Sequence, residues 1–214
     1  RLDCAWDRSR NWSTQKSVMP LIVKDLYCTY NTGLPTESEV LHGISFQAER
    51  GEILSIVGPT GSGKCTLAQH LNALLLPQRG EILVDGEQVT TDKAVLRSVR
   101  RQVGFVFQYP EQQIFAETVR EEVAFGPSNW GVPRQELASR VEESLRAVGL
   151  DLALLETNPL ALSGGQKRRV AIASVISSRP SYLVLDEKTL LHSQEDGLFW
   201  FAPHKRIKKQ KSDW

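Results

Sequence analysis

The chain is short of most features that would place it outside a reducing, aqueous setting. Three cysteines, Cys4, Cys28 and Cys65, form an odd and scattered set in 214 residues. Neither a disulfide framework nor a zinc-ligand spacing can be read from them, and a reducing cytoplasm is the default. No run approaches the ~18 consecutive apolar residues of a membrane span, so any membrane role has to come through a partner. An excess of one charge is lacking too. The net charge is +1, which excludes a strongly basic nucleic-acid binder on charge alone. With 41% hydrophobic and 24% charged residues, the composition suits a globular core and excludes wholesale disorder. At ~150 residues per domain, the length suits one domain with extra segments better than two.

Methionine and tryptophan are scarce, and their positions matter. The one methionine is Met19, and four of the five tryptophans (Trp6, Trp12, Trp200, Trp214) lie in the segments 1–18 and 188–214. The first segment carries four basic groups against two acidic, the last six against three, which leaves −4 for the middle of a chain that totals +1. The ends and the middle are different kinds of sequence. The basic run HKRIKKQK near the end is most simply a solvated tail.

From Met19 onward the pattern is regular. LIVKDLYCTY, GISFQA and ILSIVG read as strands, and LAQHLNALLL reads as a helix stopped by Pro77 and Gly80. EILVDGEQV reads as two short strands around an Asp85-Gly86 hairpin turn, and VGFVFQ as a buried strand. A helix follows Pro133, with Leu137, Val141, Leu145 and Val148 at helical spacing and Gly149 as its C-cap. LSGGQKRRVAIASVISS is a capped helix ended by Pro180, and YLVLDE is a further strand. Strands alternating with helices predict a mostly parallel α/β sheet.

Gly58, Gly63 and Lys64 match the spacing G-x-x-x-x-G-K-[ST] up to its last position, between a strand and a helix. Such a loop (Gly58, Pro59, Thr60, Gly61, Ser62, Gly63) turns backbone N–H groups toward phosphate oxygens, and the lysine adds a point charge. A glycine-rich turn without a ligand is the alternative. The last position holds Cys65 where a serine or threonine hydroxyl would bind Mg²⁺, and a neutral thiol is a poor ligand for that hard cation. Thr66 lies one step further round the helix and is not expected to substitute.

Asp186 ends the apolar run YLVLD, and Glu187 follows it. In a P-loop protein the first completes a magnesium shell and the second polarises the attacking water. In LSGGQ (Leu162, Ser163, Gly164, Gly165, Gln166), Ser163 and Gln166 have capping-box spacing. Capping does not require two consecutive glycines, which disfavour helix. They make sense where a phosphate must approach the backbone.

The phosphate loop, LSGGQ and LVLDE, in that order, resemble the nucleotide-binding domain of ABC ATPases, over Met19 to Glu187. The resemblance implies an α/β P-loop NTPase fold, a mostly parallel sheet with an antiparallel β subdomain and a helical subdomain, and ATP and Mg²⁺ as ligands. By the same resemblance Tyr30 stacks on adenine; an ordinary strand tyrosine is the alternative. Lys64, Cys65 and Thr66 continue the ATP site, and Gln108 senses the γ-phosphate and the metal. Cys65 (weakly), Gln108 and Asp186 are the metal positions, and Glu187 is the general base. Ser163, Gly164 and Gly165 contact the nucleotide of an opposite subunit in a head-to-tail dimer. The stretch FQYPEQQIFAETVREEVAFGP is similar to ATPase subunits of energy-coupling factor and cobalt-type importers. That implies a second ABC ATPase subunit, a transmembrane coupling subunit and a substrate-capturing membrane protein as partners, with no nucleic acid. The expected place is the cytoplasmic face of the membrane, the cargo vitamins or transition-metal ions.

After Glu187 the family pattern of Pro-Thr, a Leu-Asp loop and a switch histidine is not met; Lys188 stands where proline is expected. His192 and His204 do not end a buried strand and are assigned no role. The expectation is therefore a family-like core at 19–187 that lacks the C-terminal part of its sheet. Residues 188–214 would be read out of frame or rearranged, and 1–18 would lie upstream of a natural start at Met19. Reduced hydrolysis is expected of such a chain. A nucleotide-sensing subunit paired with a competent ATPase is the alternative to an active enzyme.

Overall fold

The computed structural model describes residues 19–186 and the backbone of 206–211. An antiparallel sheet forms from β1 (Leu21–Tyr30), β2 (Ser38–Ala48), β4 (Arg79–Val84) and β5 (Glu87–Gln88), in the order β2-β1-β4-β5. Strand β1 shows how the sequence sets its faces. Leu21 and Val23 are buried, then the parity changes and Leu26 and Cys28 are buried. The register breaks between Val23 and Leu26 at Asp25, whose φ is 44°, so one extra residue flips the side chains that follow. Gly80 of β4 crosses at that point, where a Cβ would lie 2.1 Å from the Asp25 carbonyl oxygen. Only glycine fits. The β4–β5 turn has positive φ at both Asp85 (50°) and Gly86 (83°), as a two-residue hairpin needs.

Strand β3 (Glu52–Val57) leads through a loop into α1 (Lys64–Leu71). Strand β6 (Val103–Val106) pairs in parallel with β7 (Tyr182–Leu185). Helix α2 (Lys93–Gln102) leads directly into β6, and α3 (Val119–Asn129), α4 (Arg134–Ala147) and α5 (Gly164–Ile176) run between β6 and β7. Two hydrophobic cores result. One joins the antiparallel sheet to α1 and α2 through Leu26, Leu41, Leu67, Ile82, Val99 and Val103. The other joins α3, α4 and α5 through Val123, Val141, Leu145, Val170 and Ile172. Val103 belongs to the first and Val106 to the second, so β6 spans both. No helix among the described residues is long and apolar enough to cross a membrane.

Two expectations need correction, for the basic run and for α1, while the antiparallel subdomain that the resemblance implies is present. Among the described strands, four form that antiparallel layer and four form two parallel pairs, β6·β7 and β3 with β8 (Arg206–Lys211). Half of the strands thus belong to the antiparallel layer, and their apolar runs gave no sign of direction. The basic run is not wholly a free tail, since Arg206–Lys211 lie beside Glu52–Val57 as a parallel strand. Helix α1 stops at Leu71 rather than running to Pro77. Buried Asn72 turns its side-chain amide to the Val103 carbonyl, and Ala73 takes a φ of 54°, which ends the helix. Helix α2, with Asp92 accepting from the Ala94 N–H at 2.7 Å as its cap, had not been anticipated.

Candidate nucleotide-binding site

The site begins where β3 stops. Gly61 and Gly63 take φ of 85° and 81°, a region that favours glycine, and bend the chain into a loop at the start of α1. Gly63 is doubly fixed, because a Cβ there would meet the Val40 carbonyl oxygen at 2.9 Å and Leu41 at 3.0 Å. Pro59, Thr60 and Gly61 are exposed, whereas Gly58, Ser62, Gly63 and Lys64 are half-buried. The Lys64 ammonium donates to the carbonyls of Gly58 (2.9 Å) and Pro59 (2.7 Å) and lies 3.5 Å from Ser62 Oγ. A cation and the first N–H groups of an eight-residue helix therefore converge on one exposed loop. That arrangement suits the phosphates of a nucleotide.

Two other predicted residues, Tyr30 and Asp186, meet the start of α1. Tyr30, at the end of β1, lies 3.2 Å through its hydroxyl from Thr66 Oγ1. Thr66 is buried, which agrees with its not taking the place of Cys65. The Cys65 thiol donates to Asp186 Oδ1 at 3.2 Å. Partial desolvation, then the Asp186 carboxylate, push that thiol above the ordinary range, with Lys64 opposing, so it stays protonated at neutral pH. The Asp186 N–H donates to the Val106 carbonyl at 3.0 Å, which extends the β6–β7 ladder by one residue. Because β6 and β7 are parallel with Val106 opposite Leu185, Gln108, two residues past β6, falls at the same end as Asp186. Glu187, expected as general base, lies outside the described residues, as do Lys188, His192 and His204 and, apart from the backbone of 206–211, the segments 1–18 and 188–214.

The LSGGQ segment is built on a different element. Ser163 caps α5: its Oγ accepts from the Gln166 N–H at 3.3 Å, and Gln166 Oε1 accepts from the Ser163 N–H at 3.0 Å. The capping box is therefore real. Leu162 is buried in the helical core. A Cβ at Gly164 or at Gly165 would meet nothing within 4 Å. Neither φ nor internal packing requires these two glycines.

Sequence reasoning missed two features. The Tyr182 hydroxyl lies 2.9 Å from Asp85 Oδ1 and 2.8 Å from the Met19 carbonyl oxygen, and Arg50 closes an ion pair on Asp85. Burial, then the hydrogen bond to Asp85, push Tyr182 up to about 12. This cluster ties the β4–β5 turn to the strand that carries Asp186. Glu122 of α3 is buried, and its Oε2 accepts from the N–H groups of Phe115 (3.1 Å) and Ala116 (3.0 Å). Phe115 and Phe125, 64% and 50% exposed, stack edge to face at 4.8 Å over a groove that also includes Phe107 and Gln113. The first feature joins residues 97 and 163 positions apart, which no local motif can mark; the second is local, with Glu122 six and seven residues from its partners.

A strand, a glycine loop and a helix, with an acidic strand end beside them, define a P-loop nucleotide-binding protein. The chain belongs to the ABC transporter family, whose model matches residues 41–190. It is 47% identical over 171 residues to the energy-coupling factor transporter ATP-binding protein EcfA2 of Caldanaerobacter subterraneus subsp. tengcongensis, covering 80% of this chain and 60% of the relative. It is 49% identical over 166 residues to EcfA of Methanocaldococcus jannaschii, covering 78% and 58%. The chain thus spans about 60% of the length of these curated relatives. Among solved structures it resembles cbiO1 from Clostridium perfringens, part of the ABC transporter complex cbiONQ, with a TM-score of 0.71, 36% identity, and 80% and 66% coverage. A dimeric bacterial ABC transporter cassette aligns with a TM-score of 0.68, 30% identity, and 79% and 74% coverage.

The family binds ATP, and the loop suits it. Magnesium is another matter. Mg²⁺ takes oxygen ligands in near-octahedral geometry, and the residue at the hydroxyl position offers sulfur. Among the described residues no group of three or more His, Cys, Asp or Glu could hold a metal. The residues present do not fit Mg²⁺ well.

Proposed function

We propose that residues 19–187 form the ATP-binding and ATP-hydrolysing unit of an importer of the energy-coupling factor or cobalt class, flanked by 1–18 and by 188–214, of which Arg206–Lys211 pairs with β3. The observation that carries this reading is the meeting of Lys64 and Cys65, at the start of α1, with Asp186, 121 residues further along the chain, at one strand end. In this reading Gly58 to Thr66 hold the phosphates, Tyr30 faces the base, Gln108 and Asp186 supply the remaining polar groups, and Glu187 draws the proton from the attacking water. The unconstrained Gly164 and Gly165 leave room for another subunit's nucleotide, so the active unit is a pair of ATPase subunits, identical or paralogous. The similarity to cbiO1 supports a transmembrane coupling partner, and the Phe115–Phe125 groove offers it an apolar seat. The unit works at the cytoplasmic face of the membrane and drives uptake of vitamins or transition-metal ions captured by a small membrane protein.

Cys65 favours a second reading, in which the chain binds nucleotide but turns it over slowly beside a competent partner. Phosphate release, measured with Glu187→Gln as control and with a candidate partner ATPase added, tests both. Turnover that Glu187→Gln abolishes supports the enzyme. Glu187-independent background that rises only with the partner supports the sensor. Failure of ATP to bind under any condition refutes both.

A further inference from the structure

The hydroxyl position of this loop holds a thiol, and the neighbouring hydroxyl is engaged elsewhere. Cys65 Sγ lies 3.2 Å from Asp186 Oδ1, while Thr66 Oγ1 pairs with the Tyr30 hydroxyl, also at 3.2 Å. Lys64 reaches the carbonyls of its own loop. What the first turn of α1 and the end of β7 offer a cation is therefore one sulfur beside one carboxylate. With a Zn–S distance of about 2.3 Å and a Zn–O distance of about 2.0 Å, two ligands 3.2 Å apart subtend about 96° at the ion, between the octahedral and tetrahedral angles.

We propose that this loop discriminates against Mg²⁺ and accepts a thiophilic divalent cation of the Zn²⁺ or Cd²⁺ class between Cys65 Sγ and the Asp186 carboxylate. Sulfur ligands select such ions over hard ones. The thiol loses its proton to solvent as the metal–sulfur bond forms, and nucleotide phosphate and water complete the shell. The inference rests on the reading of Gly58 to Thr66 as a nucleotide loop, and its test separates the two.

A fluorescent trinitrophenyl-ATP is titrated into the full chain with EDTA, with Mg²⁺ and with Cd²⁺, and Cd²⁺–thiolate absorbance is read in parallel. For the chain as it stands, Mg²⁺ shifts the Kd by less than about twofold, whereas Cd²⁺ tightens it by about tenfold and raises the absorbance. In Cys65→Ser the order reverses: Mg²⁺ tightens binding by about tenfold and the cadmium signal is lost. Asp186→Asn weakens the cadmium effect with the thiol intact. Mg²⁺ tightening equal to that of Cys65→Ser overturns the proposal, as does a cadmium signal that survives in Cys65→Ala. In either case nucleotide binding in EDTA leaves the nucleotide reading standing. No binding in any buffer sinks that reading instead.

Discussion

The phosphate loop and the LSGGQ segment are both glycine-bearing helix starts, but their glycines answer to different constraints. In the phosphate loop Gly63 has a φ of 81° and sits against Val40 and Leu41, so the chain itself demands it. At α5, Gly164 and Gly165 are helical with open space where a Cβ would be. One helix start is organised from within, and the other keeps room for something outside. Under the proposed function, a nucleotide site split between two subunits would account for both.

The comparison can be broken at several points. The largest effect is expected at Lys64, the cation that the proposed function sets against phosphate. Lys64→Ala should weaken ATP binding by about a hundredfold, close to 2.7 kcal/mol, measured by titration calorimetry. An equally tight complex would mean that the loop is a structural turn only. Next come the glycines. Gly63→Ala should destabilise the chain by about 1–3 kcal/mol in urea unfolding, because a Cβ meets backbone at positive φ. Gly164→Ala should leave stability unchanged or raise it by up to about 1 kcal/mol, since alanine is the better helix former. Its cost should appear only as lost turnover in the paired complex. Destabilisation by Gly164→Ala, or tolerance at Gly63, would erase the contrast.

Much of this contrast was legible in the sequence. The phosphate loop, the capping box and the strand ending at Asp186 are short motifs whose spacing fixes local geometry, and each appears where its spacing placed it. Strand direction was less legible: an apolar run such as LIVKDLYCTY reads alike in parallel and antiparallel sheets, and only its partners decide. The Asp25 bulge and the end of α1 at Asn72 were hidden for the same reason. Each is set by a tertiary contact, with Gly80 and with the Val103 carbonyl. The contact of Thr66 with Tyr30 was hidden as well, because it joins residues 36 positions apart.

A cap offers a smaller and cleaner effect. Ser163→Ala removes the acceptor for the Gln166 N–H and should cost about 1 kcal/mol of stability, read from the shift of the urea midpoint. Ser163→Asp keeps an acceptor at the cap and should restore stability without restoring turnover, if the hydroxyl also serves the partner's nucleotide.

The smallest effect concerns the tie between the β4–β5 turn and β7, and it comes with a pH signature. Tyr182 is held at about 12 rather than 10, so the folded chain keeps a proton that the unfolded chain releases earlier. For an acid whose folded pKa is raised, the stabilisation is fully present below pH 10 and is lost as pH climbs toward 12. Tyr182→Phe should lower stability at neutral pH by about 1 kcal/mol, as expected for a lost hydrogen bond in a partly buried cluster. Between pH 10 and 12 the advantage of the parent over the variant should disappear, because the unfolded parent releases the Tyr182 proton while its folded state retains it. If the gap between them stays constant across that window, the hydroxyl contributes no proton-linked stability. Asp85 would then be held by Arg50 alone, and the two layers would be joined by packing rather than by this bond.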